Sequence, residues 1–213
     1  PFYLATGASF PTAIGVLLAV IAFILGCSAL LDRFARYHFK QVSLGLYLLL
    51  QIALVTCCGI LYLVKFPTFY SLPIACGLAF SVWGLYLWMC GRGSQRPCGW
   101  YLAGSLCMAL VAGCRPQLVL LSFLAFPLFW RRYITERRLF TMRGAREFAC
   151  LIAPYVVVAA GIMLYNNARF GSLTDFGANY NLTVNDMTKR GMNVGRLAPA
   201  LFTYFLQPPC VTG

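Results

Sequence analysis

Residues 11–31 run for twenty-one positions without a charge, opened by Pro11 and closed by Asp32. That length constrains the fold more than any other feature. About 20 apolar residues, at 1.5 Å rise each, cross a hydrocarbon layer of about 30 Å, and Pro11 suits a helix start. Comparable runs follow at 42–64, 72–90, 100–114, 117–130 and 148–165. The expectation is an all-α membrane protein, a multi-span helical bundle of about six apolar segments with an external C-terminal segment. Composition excludes a large soluble core: 61% of residues are hydrophobic and 10% charged, against roughly a quarter charged in soluble domains.

The net charge of +12 sits in the gaps between these runs rather than on a face that could meet nucleic acid, so no nucleic-acid partner is expected. Arg33, Arg36 and Lys40 fill the first gap, Arg92 and Arg96 the second, and six arginines the segment 131–147. The positive-inside rule makes these gaps cytoplasmic. They hold eleven basic residues, against six for Lys65, Arg115, Arg169, Lys189, Arg190 and Arg196 on the other side. The implied arrangement is a multi-pass membrane protein, with 1–166 forming the helical bundle and 167–213 an external polar segment. The arginine-rich segment 131–147 reads either as an interfacial helix against anionic lipid or as a solvated loop.

Two of the apolar runs are short. Residues 100–114 and 117–130 are parted by Arg115 and Pro116, and form either two short crossings or a hairpin entering and leaving on one side. Cysteines 27, 57, 58, 76, 107 and 114 lie inside apolar runs and behave as small hydrophobes, so neither a metal site nor a disulfide framework is assigned. Gln51 is a mild polar interruption, suited to a neighbouring helix or a substrate. Gly77, Ser81 and Gly84 supply small contacts, and Ser105, Ala109 and Gly113 form a second small-residue seam.

Three residues stand out for chemistry. Arg115 interrupts an apolar region, where ionisable groups are expensive, and could bind a lipid phosphate bidentately or snorkel to the interface. Arg169 and Asp175 lie in the stretch 165–183, where the chain turns polar after the last apolar run. Arg169 could clamp a phosphate or pair with Asp175. Asp175 could orient a hydroxyl group or cap a local turn. Tyr165, Phe170, Phe176 and Tyr180 suit interface packing, and Asn181 to Thr183 match a glycosylation sequon. His38 is the only histidine, so no histidine-based triad can be built.

Three segments together, FPTFYSLPIACGLAFSVWGLYL from Phe66, GCRPQLVLL from Gly113 and YNNARFGSLTDFG from Tyr165, resemble polytopic bacterial glycosyltransferases of the GT-C type, relatives of the membrane mannosyl and arabinosyl transferases. The likeness covers most of 66–209. It implies transfer of a sugar from a polyprenyl-phosphate donor to an acceptor on the external face. It assigns no cofactor to these residues and leaves a divalent metal to a full-length protein. In that family the catalytic acid sits in the first large external loop, and nothing here matches it: the ten residues before Pro11 contain no acid. The chain therefore reads as a fragment whose catalytic base is either upstream of it or absent, with Arg115, Arg169 and Asp175 as site-lining candidates. The rival readings are a transporter or flippase for a lipid or small solute, and a noncatalytic scaffold.

Overall fold

Proline at position 11 holds an extended backbone and hands the chain to α1 (Thr12–His38). The computed structural model describes residues 7, 11–39, 42–175 and 194–203. After α1 come α2 (Leu44–Cys57), α3 (Ile60–Lys65), α4 (Ser71–Arg92) and α5 (Cys98–Cys114). A 3-10 stretch, Pro116–Leu124, then runs into α6 (Ala125–Trp130) and a π turn, Arg131–Thr135. A short 3-10 turn at Arg138–Phe140 precedes α7 (Met142–Phe170), and Val194–Arg196 leads into α8 (Leu197–Leu201). No strand occurs among the described residues. Four helical stretches are long and apolar enough to cross a membrane, Thr12–Tyr37, Ser71–Arg92, Pro116–Thr135 and Met142–Phe170, with α2 and α5 as shorter apolar helices. The chain is an all-α, multi-span membrane protein. Its contacts divide it into two compact units, Pro1–Ile162 and Met163–Gly213, so α7 begins in one and ends in the other.

Several elements differ from their apolar runs for local reasons. Helix α1 continues past Leu31 through the first basic gap, where Asp32 and Arg36 pair one turn apart at 2.9 Å. The apolar stretch 42–64 breaks into α2 and α3 at Gly59, whose φ of 69° belongs to the left-handed region that glycine enters without a Cβ penalty. Just before the break, the Thr56 hydroxyl donates to the Ile52 carbonyl at 2.8 Å. Gln51 is an interhelical tie: its Nε2 donates to Ser28 Oγ at 2.8 Å, joining α2 to α1.

Helix α4 is the centre of the first unit, packed against α1 on one side and α5 on the other. Toward α1, Trp83 Nε1 donates to the Ala22 carbonyl at 2.9 Å, and the bare Gly26 makes room for the indole, since a Cβ there would stand 3.1 Å from its nitrogen. Val16, Val20, Phe23, Ala75 and Ala79 close this contact with Ile60 and Leu63 of α3. Toward α5 the backbones nearly touch. A Cβ on Gly84 would stand 3.0 Å from the Gly104 carbonyl oxygen, and one on Gly104 would stand 3.0 Å from that of Gly84. Trp88 Nε1 donates to Ser105 Oγ at 3.1 Å. The seam runs from Gly91 against Tyr101 to Gly77 against Cys114, so α4 and α5 are antiparallel over their full lengths. Of the second expected small-residue seam, Ser105 and Ala109 are buried but Gly113 is exposed with nothing within 4 Å. The close approach is made by Gly104 instead.

This register also describes the short pair. Tyr101, at the start of α5, packs edge-on against Phe129 with centroids 5.2 Å apart. Phe129 in turn meets Trp88, near the end of α4, at 5.9 Å. Arg115 lies beside Tyr70 at the other end. The stretches 98–114 and 116–135 therefore run the whole length of α4 in opposite directions, as two passes rather than a hairpin turning midway. The arginine-rich segment is neither a single interfacial helix nor one loop: it finishes one pass, turns and starts α7. Arg137 turns the chain in the left-handed region, at φ 50°. Thr141 accepts from the Gly144 N–H at 3.1 Å, capping α7 as short hydroxyl residues do.

A valine at Gly104 would meet both the Gly84 carbonyl and the Trp88 indole. Gly104→Val should lower the stability of the detergent-solubilised protein by about 1–3 kcal/mol, read as a fall in Tm, while Gly113→Ala, which meets nothing, should leave it nearly unchanged.

Candidate functional site, an arginine-lined cleft and a helix break

Where α1, α4 and the 116–135 stretch reach one end of the first unit, their basic gaps converge. Arg33 follows the apolar part of α1, Arg92 ends α4, and Arg131, Arg132 and Arg138 surround the turn after α6. These five arginines and Glu136 line a cleft of about 720 Å3. The rest of its wall is chiefly apolar, including Leu30, Leu31, Leu85, Met89 and Leu128, and Leu54 and Leu124 lie farther along their helices.

The five guanidinium groups are not equivalent. Arg132 is mostly buried: its Nη2 reaches Glu147 Oε2 at 3.0 Å and its Nη1 donates to the Arg92 carbonyl at 3.2 Å. Glu147, on the first turns of α7, is only 2% exposed. Its Oε2 also accepts from the Tyr133 hydroxyl at 3.2 Å, and Oε1 faces Arg143 Nε at 3.4 Å. Arg143 extends the tie by donating to the Gln95 carbonyl. Thus α7, the π turn and the α4–α5 loop are joined through one carboxylate. Such a buried charge is tolerable only because every neighbour offers it a proton or a positive charge. Arg131 and Arg138 share Glu136 at 3.7 and 3.3 Å, exposed pairs that hold little energy. Arg33 and Arg92 have no carboxylate partner among the described residues. The nearest acid in sequence, Asp32, is taken by Arg36.

Arg115 occupies the opposite end of the α4–α5 seam. Its backbone is extended, at φ −148° and ψ 102°, between the end of α5 and the 3-10 stretch that Pro116 begins. One arm, Nη2, donates to the Tyr70 carbonyl at 3.4 Å. Its Nε is buried without a hydrogen-bond partner among the described residues, as is Arg132 Nε. Gly77 makes room here, since a Cβ would meet Leu118 at 3.0 Å and Arg115 Cβ at 3.9 Å.

Arg169 and Asp175 belong to the second unit. Arg169 lies in the last turn of α7 rather than in a loop; its Nη1 donates to the Tyr165 hydroxyl at 3.1 Å, and its guanidinium stands 5.0 Å from the Phe170 ring. The helix ends at Gly171, at φ 71°. Asp175 is half-buried four residues later. Phe176, Gly177, Tyr180 and the sequon from Asn181 to Thr183 lie outside the described residues. Among the described residues no three His, Cys, Asp or Glu side chains converge.

The sequence singles out Arg115, Arg169 and Asp175, but it offers Arg33 and Arg92 only as a sign of orientation and Arg131, Arg132 and Arg138 as part of an interfacial helix or a loop, not as the lining of one cleft. The missed signal was Glu147. A carboxylate at the threshold of the apolar run 148–165 is costly unless paired, and it has Arg143 one turn before it. Comparisons with protein-family models, curated proteins and solved structures gave no match.

Neutralising Glu147 would leave Arg132 buried without its countercharge. Glu147→Gln should destabilise the protein by about 3–5 kcal/mol, seen as a lower denaturation midpoint in detergent, whereas Glu136→Gln, removing only exposed pairs, should shift it by at most about 1 kcal/mol.

Proposed function

We propose that the chain forms membrane helices of an enzyme that transfers a sugar from a polyprenyl-phosphate donor to an acceptor on the external face of the plasma membrane. The observation that carries this reading is Arg115. It is a guanidinium at a helix break whose buried Nε has no hydrogen-bond partner among the described residues and whose bond to the Tyr70 carbonyl, at 3.4 Å, is long. A planar fork with unused donors is suited to a phosphate oxygen. The positive-inside rule assigns the arginine-rich end to the cytoplasm and the Arg115 end to the exterior. The resemblance around Gly113–Leu121 and Tyr165–Gly177 supports the same reaction.

In this mechanism a carboxylate supplied from outside these residues removes the proton from the acceptor hydroxyl. The hydroxyl oxygen attacks the anomeric carbon as the bond from that carbon to the phosphate oxygen breaks, leaving polyprenyl phosphate with an added negative charge. Arg115 stabilises that charge; Arg169 and Asp175, in the second unit, are candidates for contacting the substrates. In the full-length protein, Arg115→Ala should lower transfer by about 10²–10³-fold with membrane insertion unchanged, and Arg169→Ala should lower it less. Unchanged turnover in both variants would remove these residues from the mechanism.

A transporter or flippase is the second reading, favoured by the arginine-lined cleft at the opposite end of the seam from Arg115. A phosphate-bearing amphiphile would then meet cations at both ends of its path. Movement of a labelled lipid phosphate across liposomes without any acceptor distinguishes this reading from transfer.

A further inference from the structure

We propose that the arginine-lined cleft is a binding site for the phosphate headgroup of a membrane lipid, with Arg33 and Arg92 as its principal ligands. Three observations converge on that chemistry. The first is the state of the cations. Arg132 is committed to Glu147 and to the Arg92 carbonyl, and Arg131 and Arg138 to Glu136, which leaves Arg33 and Arg92 without an acidic partner among the described residues. Two guanidinium groups lining one cavity repel each other, and an anion placed between them removes that repulsion.

The second is geometry. Arg33 Nη2 lies over Gly93, near enough that a Cβ there would stand 2.8 Å from it. Arg92 stands over the Tyr37 ring at 5.8 Å, so both side chains are held at the cleft rather than streaming into solvent. The third is the wall. At 1.5 Å per helical residue, Leu124 lies about 10 Å farther along its helical stretch than Arg131, and Leu54 belongs to a different helix again. Together with Leu30, Leu31, Leu85 and Leu128 they give the cleft an apolar floor leading away from its basic rim. A free phosphate would use the rim and leave the floor in water. A phosphate attached to a hydrocarbon chain uses both.

The site does not depend on the transferase reading. It lies at the other end of the seam from Arg115, and its occupancy is measured without donor or acceptor. The test is lipid retention by native mass spectrometry of the full chain in a phosphate-free detergent. Phosphatidic acid is titrated beside diacylglycerol, which has the same chains without phosphate, and beside inorganic phosphate as competitor. The expected result is saturable retention of phosphatidic acid and none of diacylglycerol. Inorganic phosphate should compete only at much higher concentration. The double variant Arg33→Gln, Arg92→Gln should weaken retention at least about tenfold, the scale of one lost charge-assisted contact. Arg96→Ala, an exposed arginine outside the cleft, should leave it unchanged. The double variant Arg33→Lys, Arg92→Lys keeps the charge and should retain part of the affinity, which separates a lost ligand from a misfolded protein. Equal retention of diacylglycerol, equal potency of inorganic phosphate, or retention insensitive to the Gln pair would overturn the proposal. Transfer abolished by Arg115→Ala with lipid retention intact would show that the two sites are separate.

Discussion

The backbone contact between Gly84 and Gly104 is the constraint from which the rest of the first unit follows. Two helices this close cannot slide or rotate without driving a carbonyl into a side chain, so the register of α4 against α5 is fixed. That register carries Tyr101 beneath Gly91 and Trp88 over Ser105, and these aromatics receive Phe129 from the following pass. Each edge-on aromatic pair adds about 0.5–1.5 kcal/mol beyond its buried area. The same register brings Cys114 and Arg115 beside Gly77, at the far end from Arg92. Both candidate sites are thus positioned by one seam of missing side chains.

At the end near Arg92, the second constraint is the burial of Glu147. A lone carboxylate there would be driven out or neutralised. It stays because Arg132 and Tyr133 reach it from the π turn and Arg143 from one turn earlier on α7. The consequence for function is a division of labour among neighbouring arginines of identical chemistry. Arg132 and Arg143 are consumed in holding the turn. Arg33 and Arg92, on helices whose positions are already set by the α1–α4 and α4–α5 contacts, need no countercharge for the fold.

Length and hydropathy made the helices legible in sequence, because an uncharged run such as 11–31 has one stable form in a bilayer. The turn of the chain at Arg115 was also legible, since Pro116 cannot continue a helix and an arginine there is conspicuous. The break at Gly59 was not, because a glycine inside an apolar run reads equally as a packing contact or a left-handed turn, and only the φ of 69° distinguishes them. The same ambiguity hid Gly104: Gly113 fits an i, i+4 small-residue pattern better, yet which face of α5 meets α4 depends on contacts distant in sequence. The cleft was invisible for a related reason. Arg33, Arg92 and Arg131 are far apart along the chain, and positional charge statistics report which side of the membrane they occupy, not that they line one cavity.

The two ends of the seam differ in how much of their positive charge the protein itself satisfies. Near Arg92, carboxylates Glu136 and Glu147 and the carbonyls of Arg92 and Gln95 engage Arg131, Arg132, Arg138 and Arg143, and what remains without a carboxylate is a pair of cations, Arg33 and Arg92, above an apolar floor. Near Arg115, one guanidinium with five N–H donors makes, among the described residues, a single hydrogen bond, to the Tyr70 carbonyl at 3.4 Å. Burying an arginine so incompletely paired costs stability, and membrane proteins retain such residues where a ligand completes the pairing. An interfacial anchor would need only to reach the headgroups, and a snorkelling side chain keeps its whole polar head in water. The buried Nε of Arg115 does not meet that condition; Arg132 Nε is buried likewise, but that guanidinium already holds Glu147 and the Arg92 carbonyl, whereas Arg115 has no carboxylate partner among the described residues.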